Sequence, residues 1–189
     1  MKDKINKYIE DHTQVFSTLK DEIDLINTIG LKLASCLESG GKILFCGNGG
    51  SSSDSQHLAG ELMGRFISNR MALPAIALSS DSAVVSCIAN DFGYDYVFSR
   101  QVEALARPGD VLVGLSTSGN SANVLNAIIQ ANKLGVDTVG LLGKDGGKIN
   151  GISNVSLIVK SDVTARIQEC HIFIGHVLCS IIENKLGLV

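Results

Sequence analysis

The stretch FCGNGGSSSDSQHLAGE, residues 45–61, leaves an apolar run (Lys42 to Cys46), passes through a turn carrying Gly47, Gly49 and Gly50, and enters a segment opened by Ser51, Ser52, Ser53 and Asp54. It reads as a strand, a glycine turn and a helix start in succession. The first amides of a helix have no intrahelical partner and carry partial positive charge, so this turn suits a phosphate or another anion. One turn further on, His57 and Glu61 stand four residues apart and share a helical face. An anion site and an acid/base or metal pair therefore fall within one short element.

Working outward, the pattern repeats. AIAL follows Pro74, VLVGLS spans 111–116, ThrValGlyLeuLeu spans 138–142 and ValSerLeuIleVal spans 155–159, all short and apolar. Helical segments are expected between them at 81–89, 94–105 and 122–133, with Asn90 to Gly93 as a turn, and a long apolar helix over 164–185 closes the chain. Strands that are apolar on both faces and separated by helices predict a parallel sheet covered on both sides. The expected fold class is α/β, a three-layer αβα sandwich with a five-stranded parallel sheet. In such sheets ligands bind beyond the carboxyl ends of the strands, where both hydroxyl-rich turns fall, one after Cys46 and one after Leu115.

Residues 1–39 form an additional helical region, with apolar side chains at helical spacing from Ile5 to Leu33. This is more apolar helix than one sheet face needs, and it serves either to cover its own sheet or to pack against another copy of the chain. The 189 residues, 45% of them hydrophobic, suffice for one core and are too few for two comfortable domains, so one domain over 1–189 is expected.

Sixteen Lys and Arg against nineteen Asp and Glu, a net charge of -3, provide no basic field to track a nucleic-acid backbone. No nucleic-acid partner is expected. The charged N-terminus is not a secretory signal, and no run is long enough to span a membrane. A cytoplasmic protein is expected, and Cys36, Cys46, Cys87, Cys170 and Cys179, odd in number and without a CxxC pair, read as reduced, buried side chains.

Loop chemistry narrows the ligand. A P-loop needs a lysine after its glycines, and none follows here; a dinucleotide fingerprint needs a third glycine where Ser52 stands. No carboxylate follows AIAL to meet a ribose, since Ser79 and Ser80 are there. No nucleotide cofactor is expected. What remains is a pair of hydroxyl-rich turns, around Ser51 to Ser53 and at Ser116, Thr117, Ser118 and Ser121, able to surround a phosphomonoester or sugar hydroxyls. The bland alternative is helix capping alone, a position Ser and Asn favour anyway.

Taken in order, GNGGSSSDSQHLAGEL (47–62), IANDFG (88–93), STSGNSANV (116–124), LLGKDGG (141–147) and RIQECHIFIGH (166–176) resemble the sugar isomerase (SIS) domain, and within it the bacterial phosphoheptose isomerases. The resemblance covers nearly the whole chain. It implies conversion of sedoheptulose 7-phosphate to D-glycero-D-manno-heptose 7-phosphate, in heptose biosynthesis for lipopolysaccharide or another surface polysaccharide, by a homotetramer with one zinc ion per subunit. It implies Glu61 and His176 as catalytic residues and His57, Glu61, Gln168 and His176 as zinc ligands. It further implies contact between the phosphosugar and Asn48, Gly49, Gly50, Glu61, Asn90, Asp91, Ser116, Thr117, Ser118, Ser121 and Gln168. The chain departs from some relatives in having Gly60 where they carry a second acidic residue, and Ser52 and Ser53 where they carry His and Cys. A rival within the same fold is a non-catalytic SIS protein that binds a phosphosugar or a replication-initiator partner. That relative lacks the acidic residue at 61 and the histidine at 176, both present here.

The chemistry fits these residue types. Moving a carbonyl between C1 and C2 needs a base that carries a proton between neighbouring carbons and a partner that stabilises the enediolate. On a straight helix, positions 168 and 176 differ by roughly 80° and about 12 Å, so both reach one metal only if Gln168 leans forward and His176 back. His171 stands roughly 140° from His176 and is expected to be structural. His12 is expected in solvent, and Asp91 has a plain alternative as a turn residue before Phe92 and Gly93.

Overall fold

The computed structural model describes all 189 residues. Five parallel strands form one sheet: β1 (Ile43–Gly47), β2 (Ala75–Ala77), β3 (Val111–Ser116), β4 (Asp137–Gly143) and β5 (Val155–Val159), in the order β2-β1-β3-β4-β5. The register runs Ile43 beside Val111 and Val111 beside Asp137. The helices are α1 (Lys2–Ser17), α2 (Ile23–Glu38), α3 (Gly50–Met63), α4 (Ser82–Phe92), α5 (Ser99–Leu105), α6 (Ala122–Lys133), the single turn α7 (Gly147–Asn150) and α8 (Thr164–Lys185).

Alternation along each strand feeds two cores. Ile43, Phe45, Val111, Val113, Leu115, Val139, Leu141, Leu157 and Val159 point to one face, where α2, α3 and α8 lie. Leu44, Cys46, Leu112 and Leu142 point to the other, against Val102 of α5 and Val124, Ala127 and Ile128 of α6. This is the physical meaning of strands that read apolar throughout. Helix α2 buries Ile26, Ile29, Leu33 and Leu37 at spacings of three and four, and full burial of each such side chain contributes about 1.5–3 kcal/mol.

Helices α3 and α8 run parallel and close together. A methyl group added at Gly175 would lie 2.5 Å from Leu58 Cδ2, so only glycine permits this approach. Helix α1 is tied to α8 by polar groups: Arg166 bridges the Tyr8 carbonyl at 2.6 Å and Glu169 at 2.6 Å, and Glu169 meets His12 Nδ1 at 2.7 Å. His12 is thus half-buried and bonded, not free in solvent as expected.

Three other expectations need correction. The segment 94–105 is not one helix, because a 3-10 turn at Tyr94–Tyr96 and the buried pair Val97 and Phe98 interrupt it before α5. Asn90 and Asp91 do not lie in a turn; α4 continues through them and stops at Gly93, whose φ of 93° a side chain would resist. Among the unpaired cysteines, Cys36, Cys46, Cys170 and Cys179 are buried, whereas Cys87 is exposed on α4.

Candidate active site

Strand β1 has β2 on one side and β3 on the other, and the chain leaves β1 and β3 towards opposite faces of the sheet. A crevice opens at such a switch point, beyond the strand ends. Both hydroxyl-rich turns flank it, and they are joined by side chains. Asn48 Nδ2 donates to Asn123 Oδ1 at 2.8 Å, while Asn123 Nδ2 donates to Asn48 Oδ1 at 2.8 Å. Tyr94 adds its hydroxyl to Asn48 Oδ1 at 3.3 Å, which links the segment following Asn90 and Asp91 to the same point. Asn90 and Asp91 are exposed, with Asn90 Nδ2 donating to Asp91 Oδ1 at 2.7 Å.

The two turns differ in what they leave open. At α3 the amides of Ser51, Ser52 and Ser53 already bond back to the carbonyls of Asn48 and Gly49. The first turn of α3 is therefore less of an anion trap than its sequence suggests. At α6 the cap residue Ser121 makes no side-chain capping bond; its hydroxyl lies 3.0 Å from that of Ser116. Capping alone does not account for Ser121. Ser118 Oγ accepts the Asn120 amide at 3.1 Å, and this turn leads into the N-terminus of the 12-residue α6, a setting suited to phosphate.

Helices α3 and α8 bring the remaining residues together. His176 Nε2 lies 3.0 Å from His57 Nε2, which is 3.1 Å from Glu61 Oε1, and the ligand atoms of all three side chains lie within 4.8 Å of one another. Two neutral imidazoles meeting Nε2 to Nε2 share a single proton, or both turn lone pairs to a cation. Donors held 2.0–2.1 Å from a tetrahedral zinc stand about 3.3 Å apart, so the two short separations at His57 and this N, N, O set fit zinc. Gln168 lies one level nearer the N-terminus of α8, its amide against Gly50, where an added Cβ would be 2.5 Å from Nε2. Gly50 and His57 share a face of α3, so Gln168 faces Gly50 as His176 faces His57.

Some of the residues that build this site are not evident from sequence. Asp54 Oδ2 is buried without a hydrogen-bond partner. Burial pushes the Asp54 carboxyl above the usual carboxylate range, opposed by the nearby imidazoles of His57 and His176. Its signal was the spacing D-x-x-H-x-x-x-E, which puts Asp54 within about 20° of Glu61 on α3. Phe66 stacks on His176 with ring centroids 5.5 Å apart. His171 is fully buried and meets the Leu142 carbonyl at 2.9 Å through Nε2, away from the cluster, as its angle on α8 implied.

A five-stranded sheet with paired hydroxyl-rich turns at its switch point is the architecture of the SIS domain, whose family model matches residues 7–143. A phosphoheptose isomerase of Nitratiruptor is 49% identical over 186 residues, covering 98% of this chain and 100% of that one. Among solved structures, the phosphoheptose isomerase of Neisseria gonorrhoeae superposes with a TM-score of 0.91 at 40% identity, over 97% of this chain and 98% of that one. That of Francisella tularensis gives 0.93 at 39%, over 96% and 97%. The chain belongs to the SIS domain family and, within it, to the phosphoheptose isomerases.

Proposed function

We propose that the protein is an aldose-ketose isomerase converting sedoheptulose 7-phosphate to D-glycero-D-manno-heptose 7-phosphate through an enediolate. The observation that carries this reading is the convergence of His57 and Glu61 with His176, 119 residues apart in sequence, beside two hydroxyl-rich turns. Ser116, Thr117, Ser118 and Ser121 hold the phosphate at the start of α6. Asn48, Gly49, Gly50, Asn90, Asp91 and Gln168 contact the sugar. Glu61 lifts the proton from one carbon and returns it to its neighbour, and His176 moves the proton at the substrate oxygen. His57, Glu61 and His176 would hold a zinc ion, one per subunit, with Gln168 as the fourth ligand once its amide swings from Gly50 towards the cluster; when bound, the ion would polarise the substrate oxygens as a Lewis acid. The product class fits a role in the supply of heptose for lipopolysaccharide or another surface polysaccharide.

A non-catalytic phosphosugar- or protein-binding role is less well supported, because it gives no reason for a carboxylate at 61 and an imidazole at 176 to lie in one cluster. We read residues 1–189 as one domain whose first 39 residues serve in oligomerisation. The exposed apolar side chains Ile5, Ile9 and Ile23 support a homotetramer. No helix is long and apolar enough to cross a membrane, and five unpaired cysteines suit the reducing cytoplasm.

An isomerisation assay over a panel of ketose phosphates, with and without a chelator, tests the reading. Glu61→Gln should lower kcat by about 10²–10⁴-fold while the fold persists. Turnover at the wild-type rate in that variant would remove Glu61 as the base, and undiminished activity in metal-free protein would remove the zinc.

A further inference from the structure

Arg70 and Glu183 do not belong to the cluster, yet they meet where its two halves are joined. Their side chains are 2% and 0% exposed, with Arg70 Nε donating to Glu183 Oε1 at 2.8 Å. Arg70 Nη2 donates to the main-chain carbonyl of Glu61 at 2.8 Å, and Nη1 donates to the carbonyls of Leu62 at 2.6 Å and Gly64 at 3.0 Å. A guanidinium thus caps the carbonyls that the end of α3 leaves without helical partners. Glu183 accepts the amides of Phe66 and Ile67, each at 3.0 Å, and the Phe66 ring stacks on His176. On α8, Glu183 follows His176 by seven residues, within about 20° of the same face. One end of this ion pair therefore grips Glu61 by its own carbonyl. The other grips the residue that lies flat on His176.

We propose that Arg70 and Glu183 are positioning residues for the reaction centre, holding α3 against α8 so that Glu61 and His176 keep their separation. The proposal rests on the reading of that cluster as the reaction centre. Stability alone is a weak reason for the pair, since replacing a buried ion pair by apolar groups of similar size is often neutral or stabilising. What apolar groups lack is direction. A planar guanidinium with several fixed donors allows one arrangement of the carbonyls it binds, and misplacement of reacting groups by about 1 Å can cost 10²-fold in rate.

The test compares Arg70→Lys, Glu183→Gln and the double variant Arg70→Met/Glu183→Leu with the wild type, each assayed well below its thermal midpoint. Three quantities are read: kcat and KM for sedoheptulose 7-phosphate, zinc affinity by competition with a chromophoric chelator, and the ring-current shift of the His176 imidazole protons in metal-free protein. The expected result is a loss of about 10–100-fold in kcat and in zinc affinity. KM should move by less than about threefold, since uniform binding is largely retained. The His176 shift should change, and the double variant should recover thermal stability without recovering kcat. Wild-type kcat, zinc affinity and His176 shift in any folded member of the series would overturn the proposal and leave the pair a structural one. If the wild type fails to isomerise any ketose phosphate, the functional reading fails instead, while zinc affinity and the His176 shift still decide whether the pair positions the cluster.

Discussion

His171 and His176 sit on one helix and have opposite fates, decided by five residues of helical rotation. His176 meets His57 in the cluster, whereas His171 is enclosed, donates from Nε2 to the Leu142 carbonyl, and has Nδ1 buried without a partner. Burial lowers the His171 pKa from 6.5 to about 4, against the backbone bond that raises it. Because the folded value lies below the unfolded one, the unfolded chain takes up its proton first as pH falls. Stability from this group is therefore whole above pH 6.5 and drains away towards pH 4. The slope is about 1.4 kcal/mol per pH unit, so between pH 7 and pH 5 the loss is about 2 kcal/mol. His171→Gln keeps a side-chain amide for Leu142 and removes the titration; its urea-derived stability should fall less over that range. Parallel curves for the two proteins would mean that His171 does not carry the acid sensitivity. The structural place of His171 was legible because an angle on a helix needs no tertiary information. Asp54 was legible only in principle, since three serines and a turn surround it and its raised pKa comes from burial that no local pattern reports.

Helices α3 and α8 form the scaffold of the cluster through a series of matched levels: Gly50 with Gln168, His57 with His176, Leu58 with Gly175, and, just beyond the end of α3, Phe66 with Glu183. Gly175→Ala tests whether that spacing matters. Leu58 is 1% exposed and has nowhere to swing, so the clash should cost about 1–3 kcal/mol, partly offset by about 1 kcal/mol of helix propensity gained over glycine. A net loss of stability with a larger fall in kcat than in substrate affinity is expected from denaturant titration and steady-state kinetics. A variant with unchanged stability and kcat would show that the helices are not pinned at this level. Boundaries were readable where propensity and burial agree, as for β3, α6, β5 and α8. They failed at Asn90 and Asp91, where residues that favour turns sit in the last turn of a helix that only Gly93 ends. No local signal could bring Arg70 and Glu183 together, 113 residues apart.

At the scale of the molecule, apolar side chains remain exposed on the outer helices. Helix α4 carries Val84, Val85 and Ile88 yet buries no residue, and α1 buries none either. A groove of about 470 Å³ between the N-terminal helices and α8 is lined by Phe16, Leu19, Ile23, Phe173, Val177 and Ile181. It shares no lining residue with the cluster, and its apolar lining is what the proposed assembly would cover. Light scattering should give the mass of a tetramer, and Ile23→Glu should shift it to smaller species; a wild-type monomer at working concentration would overturn the assembly. The surplus of N-terminal apolar residues was visible in sequence, although its division between self-covering and association was not, because both uses need the same periodicity.

The reciprocal amide bonds between Asn48 and Asn123 bear on how quickly and how cheaply a ligand is met. Each amide supplies the acceptor for the other's donor, so turning either side chain breaks both bonds, and the turn after β1 is tied to the start of α6 across the crevice. Ordering a side chain on binding costs about 0.5–1.5 kcal/mol. Here these two side chains are already ordered when the chain folds, so an arriving sugar phosphate meets them in place and loses little affinity to their rearrangement.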